Sequence, residues 1–231
     1  MTASAGISAS ILDRIGDTPL IELRNLVPPG SARILVKLES QNPTGSMKDR
    51  MALAMVEAAE RDGRLSPGGR VVEYTGGSTG VSLALVCAVK RHPLSIVTSD
   101  AFSLEKRNHM AALGAELTIV PSAAGGMDAA LTRGMIEAAR QIAAASGGFW
   151  TDQLNNADQL AAYHRMGDEI WRQTGGRVDA FVQCTGTEVV DPVVMAVVAD
   201  LGRVDRVEPQ PAVEPFLRQR GEGGVGFGSG R

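Results

Sequence analysis

Arg70-Val71-Val72-Glu73-Tyr74-Thr75-Gly76-Gly77-Ser78-Thr79-Gly80 is the stretch that decides the fold. Residues 70–73 are a short, branched run that reads as a strand. A Gly/Ser/Thr loop then leads into the small apolar residues of a helix over 80–90. Further strand-like runs fall at 34–38, 94–98, 116–120 and 180–183. Helix-like segments lie between them at 49–62, 104–113 and 127–145. In the first of these helices Met51, Ala54, Met55 and Ala58 share one face. The alternation predicts an α/β fold with parallel, doubly wound sheet. Such sheets bind ligands beyond the carboxyl ends of their strands, where loops open onto helix N-termini.

Two loops meet that description. The first is 75–80, whose backbone N–H groups can converge on an anion; its bland alternative is a flexible left-handed turn. The second is Asn42-Pro43-Thr44-Gly45-Ser46-Met47-Lys48-Asp49-Arg50, a turn cluster that delivers Lys48 to the first turn of a helix. A lysine is an unusual choice there, because the positive end of the helix dipole disfavours a cation and favours the neutral amine that can attack a carbonyl. Thr44 and Ser46 add hydroxyls able to cap the helix or meet an anion. From the residues alone two readings stand: a reactive amine, or a solvated surface lysine behind a Ser46 cap.

Composition narrows the class. The chain has 231 residues and a net charge of −3, with acidic and basic residues intermixed rather than blocked. That argues against nucleic acid as a partner. The start of the sequence has no basic and apolar signal pattern, and no apolar run is long enough for a bilayer, so the expectation is a cytoplasmic protein with no membrane partner. Cys87 and Cys184 read as buried, inert thiols, and His92, His109 and His164 as isolated surface or cap residues. No metal site is expected. Trp150 and Trp171 read as packing groups.

The segment 42–50 resembles the Asn-Pro-Thr-Gly-Ser-x-Lys-Asp-Arg signature of the cysteine synthase (O-acetylserine sulfhydrylase) and cystathionine β-synthase family. Upstream, Ile15-Gly16-Asp17-Thr18-Pro19-Leu20 is similar to the family's Ile-Gly-x-Thr-Pro-Leu stretch. The resemblance implies pyridoxal phosphate as cofactor, with Lys48 as its Schiff-base lysine and catalytic residue. It implies the tryptophan-synthase-β-like (fold type II) architecture of two doubly wound parallel-sheet domains. By this reading, residues 44–145 form the smaller, substrate-side domain, and 1–43 with 146–207 form a cofactor domain that is incomplete. Residues 208–231, rich in Pro, Gly and Arg, read as a tail unable to order itself.

The loop 75–80 resembles the family's Thr-Ser-Gly-Asn-Thr-Gly, which grips the substrate carboxylate. Thr75, Gly77 and Thr79 match; Gly76 stands for Ser, and Ser78 stands for the Asn that contacts the cofactor ring. The resemblance assigns substrate binding to Thr75, Gly77, Thr79 and Gln153, the last from Thr151-Asp152-Gln153-Leu154-Asn155-Asn156, which looks like the family's Gln-Phe-x-Asn-Pro. It assigns cofactor contacts to Ser78, Gly186 and Thr187. After Thr187 the likeness fails. Glu188-Val189-Val190 replaces the Gly/Thr continuation of the phosphate loop, setting a carboxylate and two stiff β-branched residues where amides should converge on an anion.

The function implied is a β-replacement that makes cysteine from an O-activated serine, such as O-acetylserine, and sulfide or a thiol, in a homodimer. Two alternatives stay open: a lyase like cystathionine β-synthase or serine/threonine dehydratase, and an inactive remnant.

Overall fold

In the computed structural model the described residues are 7–123, 125–183 and 194–199, the last as backbone only. Gly186, Thr187, Glu188 and Cys184 therefore lie outside the described residues, as do 208–231.

The elements run β1 (Leu20–Glu22), β2 (Arg33–Leu38), α1 (Lys48–Asp62), β3 (Val71–Tyr74), α2 (Ser78–Lys90), β4 (Leu94–Ser99), α3 (Leu104–Ala112), β5 (Glu116–Val120), α4 (Ala129–Ser146), β6 (Phe149–Trp150), α5 (Leu160–Gln173), β7 (Ala180–Val182) and β8 (Val194–Ala199). They build two four-stranded sheets, ordered β1-β2-β8-β7 and β5-β4-β3-β6.

The second sheet is parallel throughout, as the β/α alternation predicts. Its strands alternate their faces. Val71 and Ile96 pack with Ala52, Val56, Leu83 and Val86 of α1 and α2, whereas Val72, Tyr74 and Val97 pack on the other face with Leu131, Met135 and Ala139 of α4. Helices on both faces make the sheet doubly wound. Burying a side chain such as Met135 completely contributes about 1.5–3 kcal/mol.

The first sheet differs from the parallel expectation. Every described pairing in it is antiparallel: β1 with β2, β2 with β8, and β8 with β7. The connection from β1 to β2 carries no helix. A parallel neighbour needs a crossover of about a dozen residues or more, usually through a helix, so this short connection turns the chain back instead.

α5 lies outside the helices expected from the sequence. Met166 and Ile170 bury against Leu35 of β2 and Met47 at the mouth of α1, but Gly167 and the charged residues between them blur the period. Two further expectations are corrected. His92 is buried, its ring nitrogens meeting Gly69 O and Glu60 Oε1 at 2.9 Å each, because the turn after α2 folds it inward. Trp171 is 59% exposed on the outer face of α5 rather than packed in a core. Cys87 is buried as expected, and burial pushes its thiol up to about 12. No helix among the described residues is long and apolar enough to cross a membrane.

Candidate functional site

Lys48 is the first residue of α1 and is partly buried. Its backbone N–H donates to Ser46 Oγ at 3.0 Å, so the Ser46 hydroxyl takes up a free donor of the first turn. The next two residues anchor the turn from opposite sides. Asp49 is fully buried; it accepts from Thr44 N–H at 2.8 Å, from the Thr44 hydroxyl, and from Ser82 Oγ of α2 at 2.6 Å.

Arg50 reaches into a buried ion network. Its guanidinium donates to Glu39 at 2.7 and 2.9 Å and to Glu169 of α5 at 2.7 and 2.8 Å. Glu169 also pairs with buried Lys37 at 2.8 Å. Burial opposes the Arg50 and Glu169 charges, but the hydrogen bonds outweigh it. Arg50 is held above its usual range by Glu169 and Glu39, and Glu169 is brought down to about 2 by Arg50 and Lys37. The network ties β2, α1 and α5 together directly behind Lys48. Losing one partner would strand a buried charge.

The second loop joins the carboxyl end of β3 to the N-terminus of α2, where no side chain caps the helix. Gly77 has φ +155°, which favours glycine, and the stem of Lys106 lies close over it. Its N–H donates to Thr75 Oγ1 at 3.0 Å. Thr79 Oγ1 donates to Gln153 Oε1 at 2.6 Å, and Gln153 Nε2 donates to Tyr74 O at 3.0 Å. The structure thus joins Gly77 to Thr75 and Thr79 to Gln153, and the two pairs meet at the Tyr74–Thr75 peptide, although Gln153 is 74 residues from Thr79. Ser78 stands between them as the first residue of α2.

At Gly76 the space for a side chain is already filled. A Cβ there would fall 2.8 Å from the Phe102 ring. The departure from the family's Ser is therefore matched by an aromatic ring that closes over the loop.

Glu73 stands outside the sequence expectations for this site, as do Thr151, Asp49, Ser82 and Phe102. Glu73 is fully buried at the end of β3. Its carboxylate accepts from Tyr74 N–H and Gln153 N–H at 2.9 Å each and from Thr151 Oγ1 at 2.5 Å. Desolvation pushes its carboxyl up to about 7 against the pull of those hydrogen bonds, with Asp152 adding repulsion. The signal was a lone carboxylate inside Val71-Val72-Glu73-Tyr74, a run otherwise fit for a strand buried on both faces.

These residues fit one half of a pyridoxal phosphate site. Lys48 offers an amine at a helix mouth, and the uncapped start of α2 offers Ser78 and backbone donors beside a polar cluster. The half assigned to Gly186 and Thr187 lies outside the described residues.

Residues 11–188 match the family model described as pyridoxal-phosphate dependent enzyme. Cysteine synthase B of Salmonella typhimurium is 42% identical over 178 residues, covering 75% of this chain and 55% of that protein. A cysteine synthase of Staphylococcus aureus is 41% identical over 180 residues, covering 77% and 56%. Among solved structures, an O-ureido-L-serine synthase superposes with TM-score 0.69 at 35% identity, covering 75% of this chain and 54% of that one. The cysteine synthase of Entamoeba histolytica gives 0.69 at 36%, covering 78% and 53%. The chain spans about half the length of the curated relatives it matches.

Proposed function

Because the chain belongs to the pyridoxal-phosphate dependent enzymes, we propose that it performs a β-replacement on an O-activated serine, with sulfide or a thiol as the incoming group and cysteine or a relative as product. The observation that carries this reading is the union of Thr75, Gly77, Thr79 and Gln153 in one cluster at the mouth of α2, tied through Ser82 and Asp49 to the turn that bears Lys48. The names of the relatives, cysteine synthases and an O-ureido-L-serine synthase, point to the same substrate class.

Pyridoxal phosphate, when bound, supplies an electron sink for the charge left at the substrate α-carbon. Lys48 would hold it through its amine, Ser78 would donate to its ring, and Gly186 and Thr187 would take its phosphate. The chain's own residues do the rest. Thr75, Gly77, Thr79 and Gln153 hold the substrate carboxylate and fix which α-substituent faces Lys48. The Lys48 amine, kept in place by the Asp49 and Arg50 anchors, takes the α-proton; proximity makes this transfer efficient.

The two sheets support a division into two units, the smaller over 44–145. β6 bonds to β3, which extends that unit's sheet to Trp150. The same proposal takes the chain to be a cytoplasmic homodimer, and light scattering on the purified chain reads its oligomeric state.

A second reading, a lyase like cystathionine β-synthase or serine/threonine dehydratase, is left open by Gly76 and Ser78, which replace the loop's usual Ser and Asn. The test is product analysis with added cofactor: O-acetylserine plus sulfide against serine plus homocysteine. Cysteine from the first mixture, abolished by Lys48→Ala, supports the β-replacement. Product only from the second transfers the assignment to the lyase, and product from neither leaves the inactive remnant.

A further inference from the structure

We propose that Glu73 is a positioning residue of the carboxylate clamp, acting through Gln153: it splints the end of β3 to the 151–153 segment and so holds Gln153 against Thr79. The inference rests on the reading of that cluster as a substrate-carboxylate site.

β3 lies inside its sheet, between β4 and β6, and all four of its residues are buried. A carboxylate is costly there unless it is fully hydrogen-bonded or paired. Among the described residues no cation pairs with Glu73, and its partners are all donors of two neighbouring segments. Oε1 takes Tyr74 N–H, at the point where the strand passes into the 75–80 loop. Oε2 takes both Thr151 Oγ1 and Gln153 N–H, from the segment that follows β6.

That segment needs the tie. β6 is two residues long, and its ladder with β3 ends when Thr151 N–H bonds Val72 O at 3.1 Å. Beyond it the chain turns through Asp152, which has φ +43°, a left-handed conformation that costs a non-glycine residue energy. The turn aims the Thr151 hydroxyl and the Gln153 N–H at one oxygen. Glu73 thus continues the ladder with its side chain and stabilises the strained turn. Gln153, fixed through its backbone, then crosses back so that its amide meets Tyr74 O and Thr79 Oγ1. Burial pushes the Glu73 carboxyl up to about 7, so the group is neither an ordinary surface acid nor a member of an ion pair.

Two measurements on the full chain test this. In cofactor-free protein, amide exchange at Gln153 should accelerate about tenfold or more in Glu73→Ala, with a smaller rise in Glu73→Gln, which keeps the shape but turns one acceptor into a donor. With saturating pyridoxal phosphate, calorimetric titration with L-alanine, an amino acid with no leaving group, should show affinity about tenfold weaker in Glu73→Ala. Gln153→Ala should match that loss, and the double variant should lose no more. Unchanged Gln153 exchange, unchanged alanine affinity, or losses that add would overturn the role of Glu73. If Glu73→Ala does not fold, Glu73→Gln carries both measurements. A parent chain that binds no alanine overturns the clamp itself and this inference with it. Alanine binding that is insensitive to Glu73 overturns the inference alone.

Discussion

Ser82 Oγ donates to Asp49 Oδ1 at 2.6 Å, and this bond ties the first turn of the helix that starts at Lys48 to the helix that starts at Ser78. Thr44 bonds the same carboxylate from the turn before Lys48. The Lys48 turn and the Gly/Ser/Thr loop are therefore set relative to one another by a fully buried acid beside Lys48.

Asp49→Ala should destabilise the fold by about 3 kcal/mol, because the half-buried Thr44 N–H and the buried Ser82 hydroxyl lose their charged acceptor, and the 3.3 Å contact between the Thr44 and Ser82 hydroxyls replaces it only weakly. Ser82→Ala removes a single donor and should cost about 1 kcal/mol. Urea midpoints at constant slope read both. Equal midpoints for parent and Asp49→Ala would refute the anchor.

Stability should depend on pH in two limbs of opposite sign. Glu73 is raised from 4.5 to about 7 by burial, so the folded state keeps a proton that the unfolded state has already released. Its contribution is complete below pH 4.5 and is lost as pH rises through 7, a fall of roughly 3 kcal/mol. Asp152, facing it, adds to the cost of the charged form. Glu169 is lowered from 4.5 to about 2, so its contribution is present above pH 4.5 and is lost as pH falls through 2. Glu73→Gln should flatten only the upper limb and Glu169→Gln only the lower, in urea titrations from pH 3 to 8. An upper limb that survives in Glu73→Gln would contradict the assignment.

Much of this could be read from the chain beforehand. The β/α alternation gave the second sheet because its strands are continuous branched runs and its helices carry clean apolar faces. The motif around Lys48 marked a helix mouth, which α1 supplies. The first sheet was less legible, since β1 is too short for periodicity to register and α5 hides its buried face among charges; β6, at the edge of the second sheet, is shorter still. Polar networks left the weakest trace. Lys37, Glu39, Arg50 and Glu169 each look like surface residues in sequence, and only their meeting across 132 positions, from Lys37 to Glu169, makes burial affordable. Glu73 was the exception, since its strand context alone set it apart.

Gly76→Ser should strain the loop, because its Cβ would fall 2.8 Å from Phe102. The expected cost is about 1–3 kcal/mol. Combining it with Phe102→Leu should recover part of that loss, giving a coupling of about 0.5 kcal/mol or more in a double-mutant cycle. Strictly additive effects would show that the ring and the missing side chain are unrelated.

Everything proposed for the site depends on Lys48 being the residue that would meet pyridoxal phosphate. The chain has four lysines, Lys37, Lys48, Lys90 and Lys106. Lys37 is buried in the ion network, Lys90 pairs with Glu60, and the stem of Lys106 lies over Gly77. The purified chain should be incubated with the cofactor, reduced with borohydride, digested, and the label located by mass spectrometry. An absorbance change on mixing and a stoichiometric pyridoxyl label on Lys48 are expected, both lost in Lys48→Ala. No absorbance change in the parent, or a label spread over Lys90 and Lys106, would contradict it.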